Sequence, residues 1–241
     1  GTADFGALGR VIGERLERRG RKAIPYIVGI GSASLEELKS LCASIATFGG
    51  LAMFHMRGVT PEAADHAPPA ESLAVERADL DAARRALGHA APGEVDFSSL
   101  GCPHLSLEEL ARVAELVRGR RAAHECWITA SRAVLREAAA RGYVRAIEEA
   151  GFRFAADTCC VVAPIRGRFK VMATDSAKAC YYAAGKNRFK TVYKPFDEVV
   201  LEAGQALDFA PDGLGRVDRG EELEAVAQPF DGDAQTVQGA H

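Results

Sequence analysis

Short apolar runs alternate with amphipathic stretches along this chain, and the alternation becomes regular from Glu94 onward. Apolar residues recurring every three or four positions predict helices, and short continuous apolar runs between turn residues predict buried strands. In the first twenty residues, Phe5, Leu8, Val11, Ile12 and Leu16 fall near helical spacing. Ala23 to Ile30 (AIPYIVGI) reads as a buried strand. Ser34 and Glu37 fit a capping box, in which each side chain satisfies a backbone donor at the helix start. Leu35, Leu38, Leu41, Cys42, Ile45 and Phe48 form the predicted apolar face of that helix, and Gly49-Gly50 ends it. LAMFHM, which contains His55, is the next predicted strand; Thr60 to Pro69 reads as a loop and Ser72 to Leu87 as a charged helix.

From there the order is strand VDFSSL, helix LSLEELARVAELV behind a Ser106/Glu109 capping box, strand ECWITA, and a helical stretch from Ser131 to Ala150. Strands FRFAADTCC and KVMATD follow, then a short helix headed by Ser176, the strand-like TVYKP and helix FDEVVLEA. Such alternation predicts an α/β fold with a mostly parallel sheet, helices on both faces and right-handed crossovers. Periodicity is lost after Gly204, so 1–203 is expected to form the α/β part and 204–241 a weakly packed tail.

Several predicted strands end in reactive side chains: Gly101-Cys102-Pro103-His104, Ser131-Arg132, Asp157-Thr158-Cys159-Cys160 and Asp175-Ser176-Ala177-Lys178. Ligands of parallel sheets sit outside the carboxyl ends of the strands, so these endings are expected to share one crevice. Cys102 precedes a capped helix, whose dipole would favour thiolate; a small buried turn residue is the plainer reading. Ser176 suits an N-cap, yet with Lys178 it also places a hydroxyl, backbone donors and a cation where a carboxylate or phosphate could bind. Ser131-Arg132 offers the same combination, with an arginine able to grip a carboxylate through two bonds. His55 reads as a hydrogen-bonded core histidine, with a site role as the alternative. Cys42, Cys126 and Cys180 are expected to serve packing.

Charge and composition narrow the partners. The net charge is −3 with both signs mixed along the helices, which leaves no basic stripe for nucleic acid. No run approaches the roughly 18 apolar residues of a membrane span, and no signal-peptide core opens the chain. Six scattered cysteines without a C-x-x-C pair suit a reducing compartment and argue against structural zinc. A soluble cytoplasmic protein is expected, and the Gly-Thr-Ala opening, without an initiator Met, suggests processing, tagging or truncation.

The blocks AMFHMRGVTPEA, DFSSLGCPHLSLEEL, WITASR, ADTCCVVAP and TDSAKACYYAAG agree in order, spacing and text with one family. The chain from Asp4 to Ala203 resembles the large catalytic part of aconitase X. That resemblance implies an aconitase-like domain and a hydro-lyase that removes water from a small hydroxy acid. The substrate it implies is cis-3-hydroxy-L-proline, toward which the Ala/Arg/Gly-rich, GC-rich-genome composition leans, with mevalonate 5-phosphate as the alternative. It further implies iron, as an iron–sulfur cluster or a mononuclear ion, held by Cys102 and Cys159. Ser176 would be the base, supported by Lys178, with Ser131, Arg132, His55 and His104 around a carboxylate substrate. The family's N-terminal stretch, with a further cysteine, and its small swivelling domain or subunit have no counterpart here and are expected as partners. Two other readings compete: an inactive fragment or scaffold half, and a metal-free α/β enzyme with a cysteine nucleophile.

Overall fold

The computed structural model describes residues 1–20 and 23–206. Five short apolar strands form its central sheet: β3 (Phe97–Leu100), β5 (Glu125–Ala130), β6 (Arg153–Ala156), β7 (Val171–Thr174) and β8 (Lys190–Tyr193). They lie in the order β6-β5-β3-β7-β8, and every neighbouring pair is parallel. Strands buried on both faces need helical cover on both sides, and the chain supplies it. Leu110 and Val113 of α4 (Leu107–Leu116), Ala138 of α5 (Arg132–Ala140), Ile147 of α6 (Tyr143–Glu149) and Val199 and Val200 of α8 (Phe196–Ala203) pack with Ile128, Ala130, Val171 and Ala173. The opposite side of the sheet buries Phe97 and Met172 against Cys160, Val161, Ile165, Ala179 of α7 (Ala177–Tyr182) and Phe189.

The first 87 residues form a helical layer beside this sheet. α1 (Thr2–Arg18) and α2 (Leu35–Gly49) cross through a seam of small residues. A Cβ on Gly13 would lie 2.8 Å from the backbone nitrogen of Gly49, so the two helices touch backbone to backbone. Ser44 Oγ donates to the carbonyl of Gly6 at 2.6 Å, and Ser40 Oγ to that of Thr2 at 2.8 Å. Ser34 and Ser106 cap α2 and α4 as their capping boxes predict. A small parallel pair, β1 (Tyr26–Ile27) and β2 (His55–Met56), lies on α1 and α2 through Ile27 and Met56.

The structure corrects several expectations. The predicted strands 23–30 and 51–56 shrink to two residues each, and the helix expected from Ser72 begins at Arg77 in α3 (Arg77–Leu87). The stretch from Ser131 to Ala150 is two helices, because Gly142 adopts φ +79° between them. β6 stops at Ala156, where Asp157 turns the chain with φ +54°, so Cys159 and Cys160 lie in a turn beyond the strand. Cys42 is exposed: the buried face of α2 runs through Leu41, Ser44, Ile45 and Phe48, leaving Cys42 one step round the helix. Gly204–Ala206 is a strand, β9, antiparallel to β4 (Arg120–Ala122). The rest of the expected tail lies outside the described residues.

Candidate active site

The chain leaves β3 toward β5 and β6 on one side of the sheet, then returns to β7 and β8 on the other. The point where the order reverses therefore lies between β3 and β7, and the crevice outside their carboxyl ends is where parallel sheets bind ligands. β3 delivers Gly101 and Cys102 to that crevice; β7 delivers Asp175 and Ser176. A cleft at this point is lined by Cys102, Asp175, Ser176 and Glu109, and by Thr2, Glu36 and Lys39 from the helical layer.

Gly101 makes the approach of β3 and β5 workable. Its φ is +102°, and a Cβ there would stand 2.1 Å from the carbonyl oxygen of Thr129. Thr129 Oγ1 instead donates to the carbonyl of Gly101 at 2.6 Å. Ser176 follows β7 as the N-cap of α7, accepting from the backbone N–H of Ala179 at 3.0 Å. Its own hydroxyl donates to the carbonyl oxygen of Cys102, which joins the ends of β3 and β7.

Beyond β6, the turn at Asp157 carries Cys159 across to Cys102, close enough for the two thiols to influence each other's ionisation. The approach of Cys102, then the backbone N–H groups of Val161 and Val162 and the charge of Lys178, favour thiolate at Cys159 against the opposing effect of burial. The approach of Cys159, with burial and the neighbouring sulfurs, pushes Cys102 up. Cys102 is almost wholly buried, which agrees with the small buried turn residue that is the plainer reading of the sequence. Cys160 is buried with Phe97 and Phe189 in the apolar cluster that also takes in Cys102 and touches Cys159, and burial raises it to about 11. Asn187 of the π-helical turn after α7 donates to its carbonyl at 3.0 Å and so braces the turn.

The remaining candidates divide. His104 Nε2 donates to the carbonyl of Thr158 at 2.8 Å, tying the Cys102 turn to the Cys159 turn. Lys178, half-buried on the first turn of α7, acts electrostatically on both thiols. Ser131 caps α5, and Arg132 is engaged with Asp157 through both its backbone N–H and its guanidinium. Both stand at the same sheet edge, one strand away from the cleft, and neither lines it. His55 is on β2, with Tyr26 and His66 as its ring neighbours, outside the thiol group. Sequence reasoning missed Thr2, Glu36, Lys39 and Glu109 as cleft residues. Their signal is tertiary: Lys39 reaches Glu109 at 3.0 Å across seventy positions of sequence, and Thr2 donates to Asp175 at 2.9 Å.

Cys102 and Cys159 are of the type that could hold iron, and they approach each other. Among the described residues no group of three or more His, Cys, Asp or Glu side chains could hold a metal ion, and two cysteines alone do not complete a cluster site.

Comparison with known proteins matches residues 1–85 to the family description "Aconitase X second domain" and residues 95–205 to "Aconitase X third domain". The chain belongs to the aconitase X family. The phosphomevalonate dehydratase large subunit of Methanothermobacter thermautotrophicus is 36% identical over 194 residues, covering 79% of this chain and 47% of that protein. The cis-3-hydroxy-L-proline dehydratase of Pseudomonas aeruginosa is 36% identical over 175 residues, 67% of this chain and 30% of that one. The crystal structure of Thermococcus kodakaraensis aconitase X in its holo-form superposes with a TM-score of 0.78 at 33% identity, over 84% of this chain and 52% of that chain. This aconitase X chain therefore spans about half the length of the large subunits that it matches. Its two family domains meet at the cleft: Thr2, Glu36 and Lys39 come from the second, and Cys102, Glu109, Asp175 and Ser176 from the third.

Proposed function

We propose that this chain is the part of an aconitase X dehydratase that carries the base and two of the iron ligands. The observation that carries the reading is the meeting of Ser176, Cys102, Cys159 and Lys178 at the switch point of the sheet. In the proposed reaction, Ser176 Oγ takes the proton from the carbon beside the substrate carboxylate. The electron pair of that C–H bond forms the double bond as the hydroxyl departs from the adjacent carbon, and the departing hydroxide takes up one proton, equivalent to the one that Ser176 removed, to leave as water. A free serine hydroxyl is too weak a base for this, so its alkoxide needs the Lys178 charge and the α7 N-terminus. Cys102 and Cys159 would hold the iron, which when bound supplies Lewis acidity to the departing hydroxyl. His104 fixes the two cysteine turns relative to each other and so orients both sulfurs.

For the substrate we favour cis-3-hydroxy-L-proline over mevalonate 5-phosphate. The charged lining of the cleft is Glu36, Glu109 and Asp175 against Lys39, and Lys39 is already paired with Glu109. Surplus carboxylates suit the ring ammonium of an imino acid and repel a phosphate dianion. Other segments of the same enzyme, corresponding to the half of the relatives that this chain does not span, complete the site. The test is anaerobic: the chain is assembled with those segments, loaded with iron, and assayed for dehydration of each substrate. Turnover of the imino acid supports the reading; turnover of mevalonate 5-phosphate alone overturns the substrate, and iron-independent turnover overturns the mechanism.

A further inference from the structure

The substrate carbon that Ser176 would deprotonate carries a carboxylate and, in an imino acid, the ring nitrogen as well. Both charges must therefore find partners beside that carbon, in the cleft that holds Ser176. The arginine expected to take the carboxylate is elsewhere: Arg132 is engaged with Asp157 and does not line the cleft. Lys178 acts on the two thiols. Among the described residues that line the cleft, Lys39 is the one basic side chain.

Lys39 comes from α2, in the second family domain, and its Nζ reaches Glu109 Oε2 of α4, in the third, at 3.0 Å. Both side chains are mostly shielded from water, at 24% and 12% exposure. A charge in such a place is costly to leave without a partner, so each holds the other. Glu109 is fixed from a second side, because the same Oε2 accepts from the backbone N–H of Ser106 at 2.8 Å in the α4 capping box. Lys39 is the freer member, with three N–H donors on a flexible four-carbon stem. Glu36 and Asp175 also act on Lys39 electrostatically, so this single cation faces three carboxylates.

We propose that the Lys39–Glu109 pair is the subsite for an amino-acid zwitterion: the substrate carboxylate takes Lys39, and its ring ammonium takes Glu109. Such a ligand opens one ion pair and closes two, so no shielded charge loses its partner. The flexible lysine stem swings aside to admit it, while the Ser106 N–H keeps Glu109 in place. A phosphate dianion would take Lys39 only by leaving Glu109, Glu36 and Asp175 facing further negative charge. The inference rests on the dehydratase reading, which places the reacting carbon at Ser176, and deepens it to a substrate class of α-imino acids.

Three probes are titrated calorimetrically into the assembled enzyme. L-Proline has both charges and no hydroxyl to lose, cyclopentanecarboxylate has only the anion, and pyrrolidine only the cation. L-Proline is expected to bind saturably, and Lys39→Met and Glu109→Gln should each weaken it at least ~10-fold. The single-charge probes separate a ligand site from a structural strut. Lys39→Met should weaken cyclopentanecarboxylate and spare pyrrolidine, and Glu109→Gln should do the reverse. Glu109→Gln keeps an acceptor for the Ser106 N–H, so it carries the test even if Lys39→Met fails to fold. Lys190→Met, exposed at the opposite, amino end of the strands, should leave all three affinities unchanged. With cis-3-hydroxy-L-proline, KM should rise in both site variants while kcat holds, as for a contact equally strong in ground and transition states. L-Proline that does not bind, or binds both variants as it binds the wild type, would overturn the proposal and leave the role of Ser176 untouched. Equal losses of all three probes in both variants would overturn it too, by making the pair a strut between the domains. Lys39-dependent binding of L-proline by an enzyme that dehydrates neither substrate would sink the dehydratase reading and leave this subsite in place.

Discussion

Ser176 has two duties in one side chain. It accepts from Ala179 N–H as the cap of α7, and its hydroxyl donates to the carbonyl of Cys102 at the cleft. Loss of a cap costs about 1 kcal/mol, whereas loss of a general base costs at least ~100-fold in turnover. Ser176→Ala in the assembled enzyme is therefore expected to cut turnover by that factor while iron content holds and the urea midpoint moves only slightly. Near wild-type turnover in the folded, iron-loaded variant would end the base assignment. The cap was legible in the sequence, from a serine at a strand-to-helix junction. The base role and the pairing of Cys102 with Cys159 come from the family resemblance, and the bond from Ser176 to Cys102 from the tertiary structure. The ionisation of the two thiols depends on burial and on N–H groups supplied by a turn, and neither is written in spacing.

At the scale of elements, the capping boxes of α2 and α4 carried their prediction because they are local: four residues determine who bonds to whom. The α1–α2 seam had no such local signature. Gly6, Gly9 and Gly13 read as poor helix residues, and only the packed structure shows them as the reason two helices touch. Alanine at Gly13 gains up to about 1 kcal/mol in helix propensity, yet its methyl would meet the backbone of Gly49 and Phe48. Overpacking against backbone typically costs about 1–3 kcal/mol, so Gly13→Ala should lower stability, as a reduced urea midpoint. An increase would mean that the seam can open freely. The seam also bears on the site, because α1 and α2 deliver Thr2, Glu36 and Lys39 to the cleft.

Across the whole molecule, the two family domains are joined at a buried carboxyl. Asp175, at the end of β7, accepts from Thr2 at the start of α1, with Glu109 and Lys39 facing it from α4 and α2. Burial is the main cause that raises it to about 6 from 3.8, and Thr2 opposes the shift. A carboxyl raised on folding contributes stability that is full below about pH 4 and is lost as pH climbs through about 6. Asp175→Asn keeps an acceptor for Thr2 and does not titrate. Relative to it, the wild-type chain should therefore lose stability between about pH 4 and 7, on the order of 3 kcal/mol at most. Urea unfolding of both proteins across that range checks the point; a difference that stays constant with pH would show that Asp175 ionises as freely folded as unfolded.

The sequence by itself determined the local chemistry: which stretches become strand or helix, which serines cap, and which strand ends carry thiol, hydroxyl and cation. Even there it overran wherever tertiary contact sets the limit. The apolar runs around Tyr26 and His55 look like full strands, yet only two residues of each find a hydrogen-bonded neighbour. Cys42 looks apolar in a helix whose buried face lies one step away. The strand order was decided by tertiary structure alone. Nothing in the spacing of β3, β5, β6, β7 and β8 says that the chain turns back on itself between β3 and β7. That reversal puts Cys102 beside Ser176 and leaves Arg132 and Ser131 one strand off. The physical reason is that caps, periods and turns are satisfied within a few residues. The order of parallel strands is settled by which apolar faces bury best across a hundred residues of chain.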